Sequence, residues 1–274
     1  MTSPAVILKR HGLRPKKSWG QCFLNDASVV GRIVDVSHLD VTDTVVEIGA
    51  GVGTLTVALA RVAGHVIAIE RDRDLAAVLR HELAGIDNVE IAEQNALTFD
   101  YAGIGAPIKI VGNLPYNISS PLLFRIIARR HHIPQATLMF QRELVSRIVA
   151  RPGNRTYGIP SVMCQQYATV QQCFTVKAGA FVPPPRVDSA VALFTMREQP
   201  VVACDEELFH AVVHAAFGAR RKTLKNALGA RFVPTQVMRA MGIADIAPTC
   251  RAETLSVDDF GRLAMAFASI GVVA

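Results

Sequence analysis

The stretch from Asn113 to Tyr116 (Asn-Leu-Pro-Tyr) combines an amide, a rigid backbone turn and an aromatic ring. It follows an apolar run, 108–111, that predicts a buried strand, and it precedes a predicted helix that begins near Pro121. Open α/β sheets bind their ligands outside the carboxyl ends of such strands. An Asn and a backbone carbonyl could accept the N–H bonds of a flat, amino-bearing ring while Tyr stacks on its face. Taken alone, the motif fits an ordinary turn better.

Alternating strand and helix patterns surround this stretch. Strands are predicted at 44–48, 66–69, 89–91, 109–112, 136–141, 169–176 and 189–196, and helices at 27–36, 55–62 and 72–83. The alternation indicates an α/β fold with a Rossmann-like, doubly wound parallel sheet. After Pro200 only helical patterns occur. We therefore expect a basic N-terminal arm (1–26), a catalytic domain (27–199) and a small all-α C-terminal domain (200–274).

A glycine-rich turn separates the first predicted strand from its helix. Glu47 is followed by Gly49, Gly51 and Gly53, which is Gly-x-Gly-x-Gly and not the Gly-x-Gly-x-x-Gly of dinucleotide folds. S-adenosylmethionine, which carries no phosphate, is the other ligand that suits this architecture. Glu70 ends the second strand about 20 residues later, where a carboxylate can accept both hydroxyls of a ribose. We favour that role over a surface acid beside neighbouring arginines.

A methyl donor gives the Asn113 motif a chemical meaning. The exocyclic amine of adenine is a poor nucleophile because its lone pair is delocalised into the ring. Hydrogen bonds from that amine to the Asn113 side chain and to the Leu114 carbonyl would localise the lone pair, and Tyr116 would align the ring. No metal or strong base is required, because the donor's sulfonium is a good leaving group. Asn95 follows the third strand where such folds contact the donor's adenine, although it fits a turn former equally well.

The charge distribution predicts a polyanionic partner. The chain has 29 Lys and Arg against 23 Asp and Glu, a formal charge of +6. The basic residues form three separated clusters: Lys9, Arg10, Arg14, Lys16 and Lys17; Arg125, Arg129, Arg130, Arg142, Arg147, Arg151 and Arg155; and Arg220, Arg221, Lys222 and Lys225. One cluster alone would be an ordinary solvated face, whereas three indicate a surface that follows phosphates.

The cysteines and the termini predict a cytoplasmic protein. Five cysteines without a Cys-x-x-Cys pair indicate neither a disulfide framework nor a zinc site. The basic N-terminus lacks the apolar core of a secretory signal, and the apolar segment 263–274 is too short to cross a bilayer. We expect no membrane partner.

Several motifs in a fixed order complete the sequence pattern. They are Lys-Ser-Trp-Gly-Gln-Cys-Phe-Leu (17–24), Val-Glu-Ile-Gly-Ala-Gly-Val-Gly (46–53), Asn-Leu-Pro-Tyr-Asn-Ile-Ser (113–119), Phe-Val-Pro-Pro-Pro-Arg-Val-Asp-Ser (181–189) and Arg-Arg-Lys-Thr-Leu (220–224). With these motifs the chain resembles, over nearly its whole length, the bacterial KsgA family of small-subunit ribosomal RNA adenine dimethyltransferases. Each motif is weak alone, but their order and spacing are specific.

The resemblance implies transfer of methyl groups from S-adenosylmethionine to N6 of two adjacent adenosines near the 3′ end of 16S rRNA, on a 30S assembly intermediate. We expect a monomer that needs no metal. The resemblance places the donor-binding residues at Cys22, Leu24, Gly49, Glu70, Asn95 and Asn113, with Gly51 in the same glycine loop. It places the catalytic motif at Asn113, Leu114, Pro115 and Tyr116, and an aromatic that flanks the target base at Phe181.

Two positions depart from the family's usual pattern. Cys22 stands where an Asn is usual, and a thiol cannot supply both the donor and the acceptor of an amide. Asn95 stands where an Asp is usual, so any bond to an adenine amine loses charge assistance. Each change could cost about 1 kcal/mol of donor affinity. We predict a working enzyme with weaker donor binding.

Other functions fit the sequence less well. A related 23S rRNA methyltransferase that gives antibiotic resistance is disfavoured by the 113–119 motif and the tri-proline loop. A DNA adenine methyltransferase would more often carry Pro at position 114. A non-catalytic ribosome assembly factor stays open because of Cys22 and Asn95. A NAD enzyme would leave the Asn113 motif and the basic clusters unexplained.

Overall fold

The computed structural model describes residues 2–16, 19–115, 118–219 and 221–274. The chain divides into two compact units, one formed by Met1–Val145 and Gln171–Met196, the other by Ser146–Val170 and Arg197–Ala274. The first unit thus includes the N-terminal arm. The longer segment of the second unit begins at Arg197, close to the boundary that the sequence predicts near residue 200. It also contains 146–170, which the sequence analysis assigns to the catalytic domain.

The central sheet has seven strands. In chain order they are β2 (Thr44–Ile48), β3 (His65–Ile69), β4 (Val89–Ala92), β5 (Ile108–Asn113), β6 (Gln135–Gln141), β7 (Ala168–Val176) and β9 (Ser189–Met196). A separate antiparallel pair joins β1 (Phe23–Leu24) to β8 (Phe181–Val182). The strand order is β4-β3-β2-β5-β6-β9-β7. β4, β3, β2, β5 and β6 run parallel, and β9 is antiparallel to β6.

The strand order reverses direction between β2 and β5, which creates a crevice at the carboxyl ends of these two strands. The register places Ile48 opposite both Ile69 and Gly112. Gly49, Glu70 and Asn113 therefore follow three adjacent strands at one edge. A Cβ at Gly112 would lie 2.9 Å from the Ile48 carbonyl oxygen, so the close approach of the two strands here requires glycine.

In the described part of the first unit, helix α1 (Pro4–Arg10) precedes the strands, and α2 (Ala27–Val36), α3 (Thr54–Leu59), α4 (Arg73–Glu82) and α5 (Ser119–Ala128) accompany them. α2 and α4 begin at the caps Asp26 and Asp72, whose carboxylates accept backbone N–H bonds of the first turn. The predicted span of α2 is confirmed. The predicted ends of the strands lie within one residue of the observed ends, and they match fully at Thr44–Ile48 and Ser189–Met196.

The N-terminal arm contains α1, which the sequence analysis missed. With seven residues the helix has about two turns, too few for an apolar period to be recognised. Its buried residues Ile7 and Leu8 belong to a cluster with Phe23, Val52 and Leu75. Packing on the catalytic domain, rather than intrinsic propensity, accounts for this helix.

The second unit is mainly helical. Helix α6 (Arg142–Ile148) leads into it, and it continues with α7 (Ile159–Tyr167), α8 (Glu206–Phe217), α9 (Leu224–Leu228), α10 (Pro234–Ile243) and α11 (Val257–Ser269). α11 begins with a capping box of Ser256 and Asp259. Among the described residues no helix combines the length and the apolar character that crossing a membrane requires.

Candidate active site

A cavity of about 350 Å³ opens at the carboxyl ends of β2, β3 and β5. This volume falls within the range of about 300–1,000 Å³ that is usual for small-molecule sites. The predicted residues that line it are Cys22, Leu24, Gly49, Gly51, Glu70, Asn95, Asn113, Leu114 and Pro115. The fold therefore gathers most of the predicted site residues, which span 94 positions of sequence, around a single cavity.

The glycine loop adopts a backbone that other residues avoid. Gly49, Gly51 and Gly53 have φ of +77°, +62° and +84°, all in the left-handed region. A Cβ at Gly51 would also lie 3.1 Å from the Phe23 ring. At Gly49 and Gly51, which line the cavity, no side chain separates the backbone from it.

Glu70 is fixed by two backbone amides. Its Oε2 accepts the N–H of Gly51 and its Oε1 accepts the N–H of Asp72, each at 2.9 Å. Burial raises the pKa of Glu70, while these bonds act in the opposite direction. Each carboxylate oxygen has two acceptor positions, so both oxygens can still receive a hydroxyl of a ligand. This arrangement suits the predicted ribose contact.

Glu47 is a further acid in the cavity wall, and the sequence analysis considered it only as part of the glycine motif. It is 2% exposed, and burial raises its pKa to about 7, with the Glu70 charge acting in the same direction. Glu47 Oε2 and Thr54 Oγ1 are buried without a hydrogen-bond partner among the described residues, and both side chains line the cavity. An acid inside an otherwise apolar strand is the sequence signal for this group.

The oxygen atoms of Glu47 and Thr54 that lack partners share the cavity wall with the glycine loop. They suit the methionine half of S-adenosylmethionine, which is polar and positively charged. Buried polar groups normally have partners, and a bound ligand is one way to supply them. The donor set Glu47, Thr54 and Glu70 contains the acceptors that ammonium and ribose hydroxyl groups need.

Asn113 and Cys22 are joined by a hydrogen bond. Asn113 Nδ2 donates to the Cys22 backbone oxygen at 3.2 Å. Because a carbonyl oxygen can only accept, this bond assigns the two ends of the amide, and Oδ1 is the end left to accept from a ligand. Cys22 acts here through its backbone, and burial raises the pKa of its thiol, so the sulfur stays neutral.

Asn95 is held in a local turn. Its Oδ1 accepts the Leu97 N–H at 3.0 Å, and its backbone oxygen accepts from Thr98 and Phe99. Oδ1 is thereby partly used, and the other end of the side chain is an NH₂ donor. Asn95 lines the cavity, where its Oδ1 keeps one uncharged acceptor position and its NH₂ group can only donate.

Phe181, the aromatic expected beside the target base, is not in the described part of the cavity wall. Phe181 is 2% exposed, pairs with Leu24 through β8 and belongs to a core cluster with Val29 and Val191. Its expected contact with the target base stays a prediction, and the described ring has a packing role. Tyr116 lies outside the described residues.

The arm is tied to α4 by a set of polar contacts. Lys16 Nζ lies 2.7 Å from a carboxylate oxygen of Asp72 and of Asp74, and Gln21 Nε2 donates to Asp72 at 2.8 Å. Although burial opposes it, the bonds from Lys16 and Gln21 hold the pKa of Asp72 below its ordinary value. The sequence analysis missed these contacts, which fix the arm segment 19–24 as one wall of the cavity.

Among the described residues, one group of three side chains has the types that bind metals. His11, His81 and Glu82 lie with their ligand atoms within 4.8 Å of one another. None of the three is in the described cavity wall, and Glu82 already accepts two hydrogen bonds from Arg10. They link α1 to the end of α4.

Comparison with known proteins gives consistent results. The model of the ribosomal RNA adenine dimethylase family matches residues 12–269. A protein of Myxococcus xanthus named ribosomal RNA small subunit methyltransferase A is 42% identical over 271 residues, covering 96% of this chain and 94% of its own. A protein of the same name from Magnetococcus marinus is 42% identical, covering 94% of each chain.

Two solved structures share both fold and moderate identity with the chain. A dimethyladenosine transferase from Plasmodium falciparum is 26% identical with a TM-score of 0.80, covering 91% of this chain and 98% of its own. The 23S rRNA methyltransferase ErmE is 26% identical with a TM-score of 0.69, covering 90% of this chain and 99% of its own. These comparisons confirm the Rossmann-like methyltransferase fold that the sequence predicts.

Proposed function

Because the chain belongs to the ribosomal RNA adenine dimethylase family, we propose that it dimethylates N6 of two adjacent adenosines near the 3′ end of 16S rRNA. The chain is an S-adenosylmethionine-dependent rRNA adenine dimethyltransferase. Its substrate in the cell is a precursor of the 30S subunit, and the reaction is part of ribosome biogenesis. The names of the small-subunit relatives support this choice of RNA.

The orientation of the Asn113 amide is the observation that supports the chemistry most directly. The bond to the Cys22 carbonyl leaves Asn113 Oδ1 as an acceptor at the carboxyl end of β5. An acceptor there takes one N–H of the target amine, and the Leu114 carbonyl takes the other. Withdrawing both hydrogens from the ring plane localises the nitrogen lone pair, and Tyr116 holds the base by stacking.

Different residues around the cavity bind different parts of the donor. We assign the ribose hydroxyls to Glu70, the methionine half to the glycine loop with Glu47, and the adenine end to the wall that contains Asn95. Cys22 and Leu24 close the arm side of the cavity. The donor supplies an activated methyl group on a positively charged sulfur. The protein contributes binding, orientation and exclusion of water.

Methylation of 23S rRNA is a second candidate, because ErmE shares the fold and 26% identity. The curated relatives at 42% identity carry the small-subunit name, and they favour 16S rRNA. A non-catalytic assembly factor would not need the acceptor at Asn113 or the cradle of the glycine loop. We therefore prefer the enzyme.

Partner and location follow from the substrate. We propose that the protein acts as a monomer in the cytoplasm, where the small subunit is assembled. The exposed basic residues Arg129, Arg151, Arg221 and Lys222 belong to the second and third basic clusters. Positive side chains of this kind bind the rRNA backbone and make affinity dependent on salt.

The function is tested with purified protein, methyl-labelled S-adenosylmethionine and 30S particles that lack the two dimethyladenosines. We expect label in 16S rRNA as N6,N6-dimethyladenosine, and no label in 23S rRNA of the matching 50S particles. Calorimetry with the donor is the accompanying measurement. Absence of donor binding at millimolar concentration would contradict the enzyme and favour the assembly factor.

A further inference from the structure

Trp19 and Arg71 form a cation–aromatic pair in the cavity wall. The Arg71 guanidinium carbon lies 5.3 Å from the centre of the Trp19 ring, within the distance of a cation–π contact. Both residues line the cavity, and the Trp19 side chain is 41% exposed. Trp19 is the chain's single tryptophan. A large aromatic that is left partly exposed beside a cavity is available to a ligand.

The pair lies next to the proposed ribose site. Arg71 directly follows Glu70, whose carboxylate we assign to the ribose hydroxyls. The adenine ring is attached to that ribose, so the residue after Glu70 lies within reach of the ring. Leu75 and Asn95 also line this cavity.

The positive charge of Arg71 favours the neutral adenine of the donor at this end of the cavity over its positively charged half. The ammonium and sulfonium of S-adenosylmethionine are positive, and an unneutralised arginine beside them would repel them. Arg73, two residues on, is paired with Glu93 at 3.4 Å, whereas the contact that the structure shows for the Arg71 guanidinium is with the Trp19 ring. A guanidinium and an indole both stack well on a neutral purine.

The arm contacts hold Trp19 in place. Lys16 Nζ, which contacts Asp72 and Asp74, lies 5.4 Å from the centre of the Trp19 ring, and the Trp19 backbone N–H donates to the Lys16 backbone oxygen at 3.0 Å. The ring is therefore tied to α4 before a ligand binds, which reduces the entropy lost on binding.

We propose that Trp19 and Arg71 bind the adenine of S-adenosylmethionine, with the Arg71 guanidinium and the indole forming the outer wall of that subsite. The proposal rests on the proposed function, since it takes the donor as the ligand. It adds two binding residues from segments that the sequence analysis did not assign to the donor, and it compensates for the weak contact at Asn95.

The fluorescence of the single tryptophan provides a direct test in the unmodified protein. Titration with S-adenosylmethionine and, separately, with adenosine is expected to change Trp19 emission in a saturable way, while methionine leaves it unchanged. Trp19→Ala and Arg71→Ala should each weaken donor binding measured by calorimetry about fivefold to tenfold. Adenosine affinity should fall by the same factor, because the pair contacts only that half. Trp19→Phe should keep most of the affinity.

Arg73→Ala is the matched control, since Arg73 is 90% exposed and pairs with Glu93. It should leave both affinities unchanged. Donor binding of wild-type strength in Trp19→Ala and Arg71→Ala would overturn the proposal, and a raised KM for 30S particles in those variants would assign the pair to the RNA. A wild-type protein that binds no donor by calorimetry would instead overturn the proposed function itself.

Discussion

Asn113 and Cys22, 91 positions apart in the chain, are joined by a hydrogen bond of 3.2 Å from the Asn113 side chain to the Cys22 backbone oxygen. The bond links the N-terminal arm to the carboxyl end of β5 and fixes which end of the Asn113 amide can accept. It also shows why a cysteine is tolerated at position 22, because the contribution to Asn113 comes from the backbone, which every residue has.

Replacing Asn95 with Asp is expected to tighten donor binding. In the wild-type protein one acceptor of Asn95 is used by the Leu97 N–H, and the other end of the side chain is a donor. An aspartate keeps the Leu97 bond on one oxygen and presents the second oxygen to the adenine amine. We expect a gain of about 1 kcal/mol, close to fivefold in Kd, measured by calorimetry with S-adenosylmethionine.

Cys22→Asn is the companion variant, and it is expected to give a further gain of similar size. It supplies an amide to the donor and keeps the backbone bond to Asn113. Asn154→Asp, in the second unit, is the control and should leave the Kd unchanged. If neither Asn95→Asp nor Cys22→Asn alters donor affinity, the two departures have no effect on the cofactor site.

Glu47 is expected to make stability depend on pH. Burial raises its pKa from 4.5 to about 7 in the folded protein. A carboxyl with a raised folded pKa contributes stability below its unfolded pKa, and that contribution is lost as pH rises through 7. The shift corresponds to about 3 kcal/mol between pH 4.5 and 8.

Urea unfolding of the wild-type protein and of Glu47→Gln at pH 5 and pH 8 measures this effect. The variant should lose less stability than the wild-type protein between the two pH values, because its amide does not ionise. The same pH dependence in both proteins would mean that Glu47 titrates normally in the fold.

Gly51→Ala is expected to damage the donor site. Gly51 has φ of +62°, and an added Cβ would lie 3.1 Å from the Phe23 ring. We expect a loss of stability of about 1–3 kcal/mol and a strong loss of donor affinity. Thermal unfolding and calorimetry measure the two effects.

Gly31→Ala is the control for this substitution. Gly31 lies in α2 with nothing within 4 Å of its added Cβ, and alanine favours a helix. This variant should be slightly stabilised and should bind the donor normally. A Gly51→Ala protein with wild-type stability and affinity would show that the glycine loop tolerates side chains.

Lys16→Ala is expected to loosen the arm. Lys16 connects the arm to Asp72 and Asp74, and its removal leaves Gln21 as the polar contact to Asp72. Hydrogen exchange of the amides in 19–24 should become faster, and donor affinity should fall. Lys9→Ala, at an exposed position of α1, should change neither quantity. If hydrogen exchange in 19–24 is unchanged in Lys16→Ala, apolar packing and not the Lys16 contacts keeps this segment ordered.

Much of the catalytic domain could be predicted because its elements have long, regular patterns. The apolar strand at 44–48 and the helix at 27–36 are bounded by turn residues and a cap, so local sequence defines them. The site residues Gly49, Glu70 and Asn113 could be predicted because each directly follows a recognisable strand.

The parts that sequence did not predict depend on distant contacts. Helix α1 is stabilised by packing on residues of α4, and the arm is fixed by Asp72, more than 50 positions away. The burial of Phe181 follows from its pairing with Leu24 in a two-residue strand, too short to have a period. That Glu47 Oε2 has no hydrogen-bond partner among the described residues also depends on what the fold places around it.

The central claim is that Asn113 accepts the amine of an adenosine in 16S rRNA. Its most direct test is mass spectrometry of 16S rRNA from cells that lack this gene, complemented with the wild-type chain or with Asn113→Ala. The wild-type chain should restore both adjacent dimethyladenosines. Asn113→Ala should reduce them at least a hundredfold while the purified variant still binds 30S particles. Full restoration by Asn113→Ala, or none by the wild-type chain, would contradict the account.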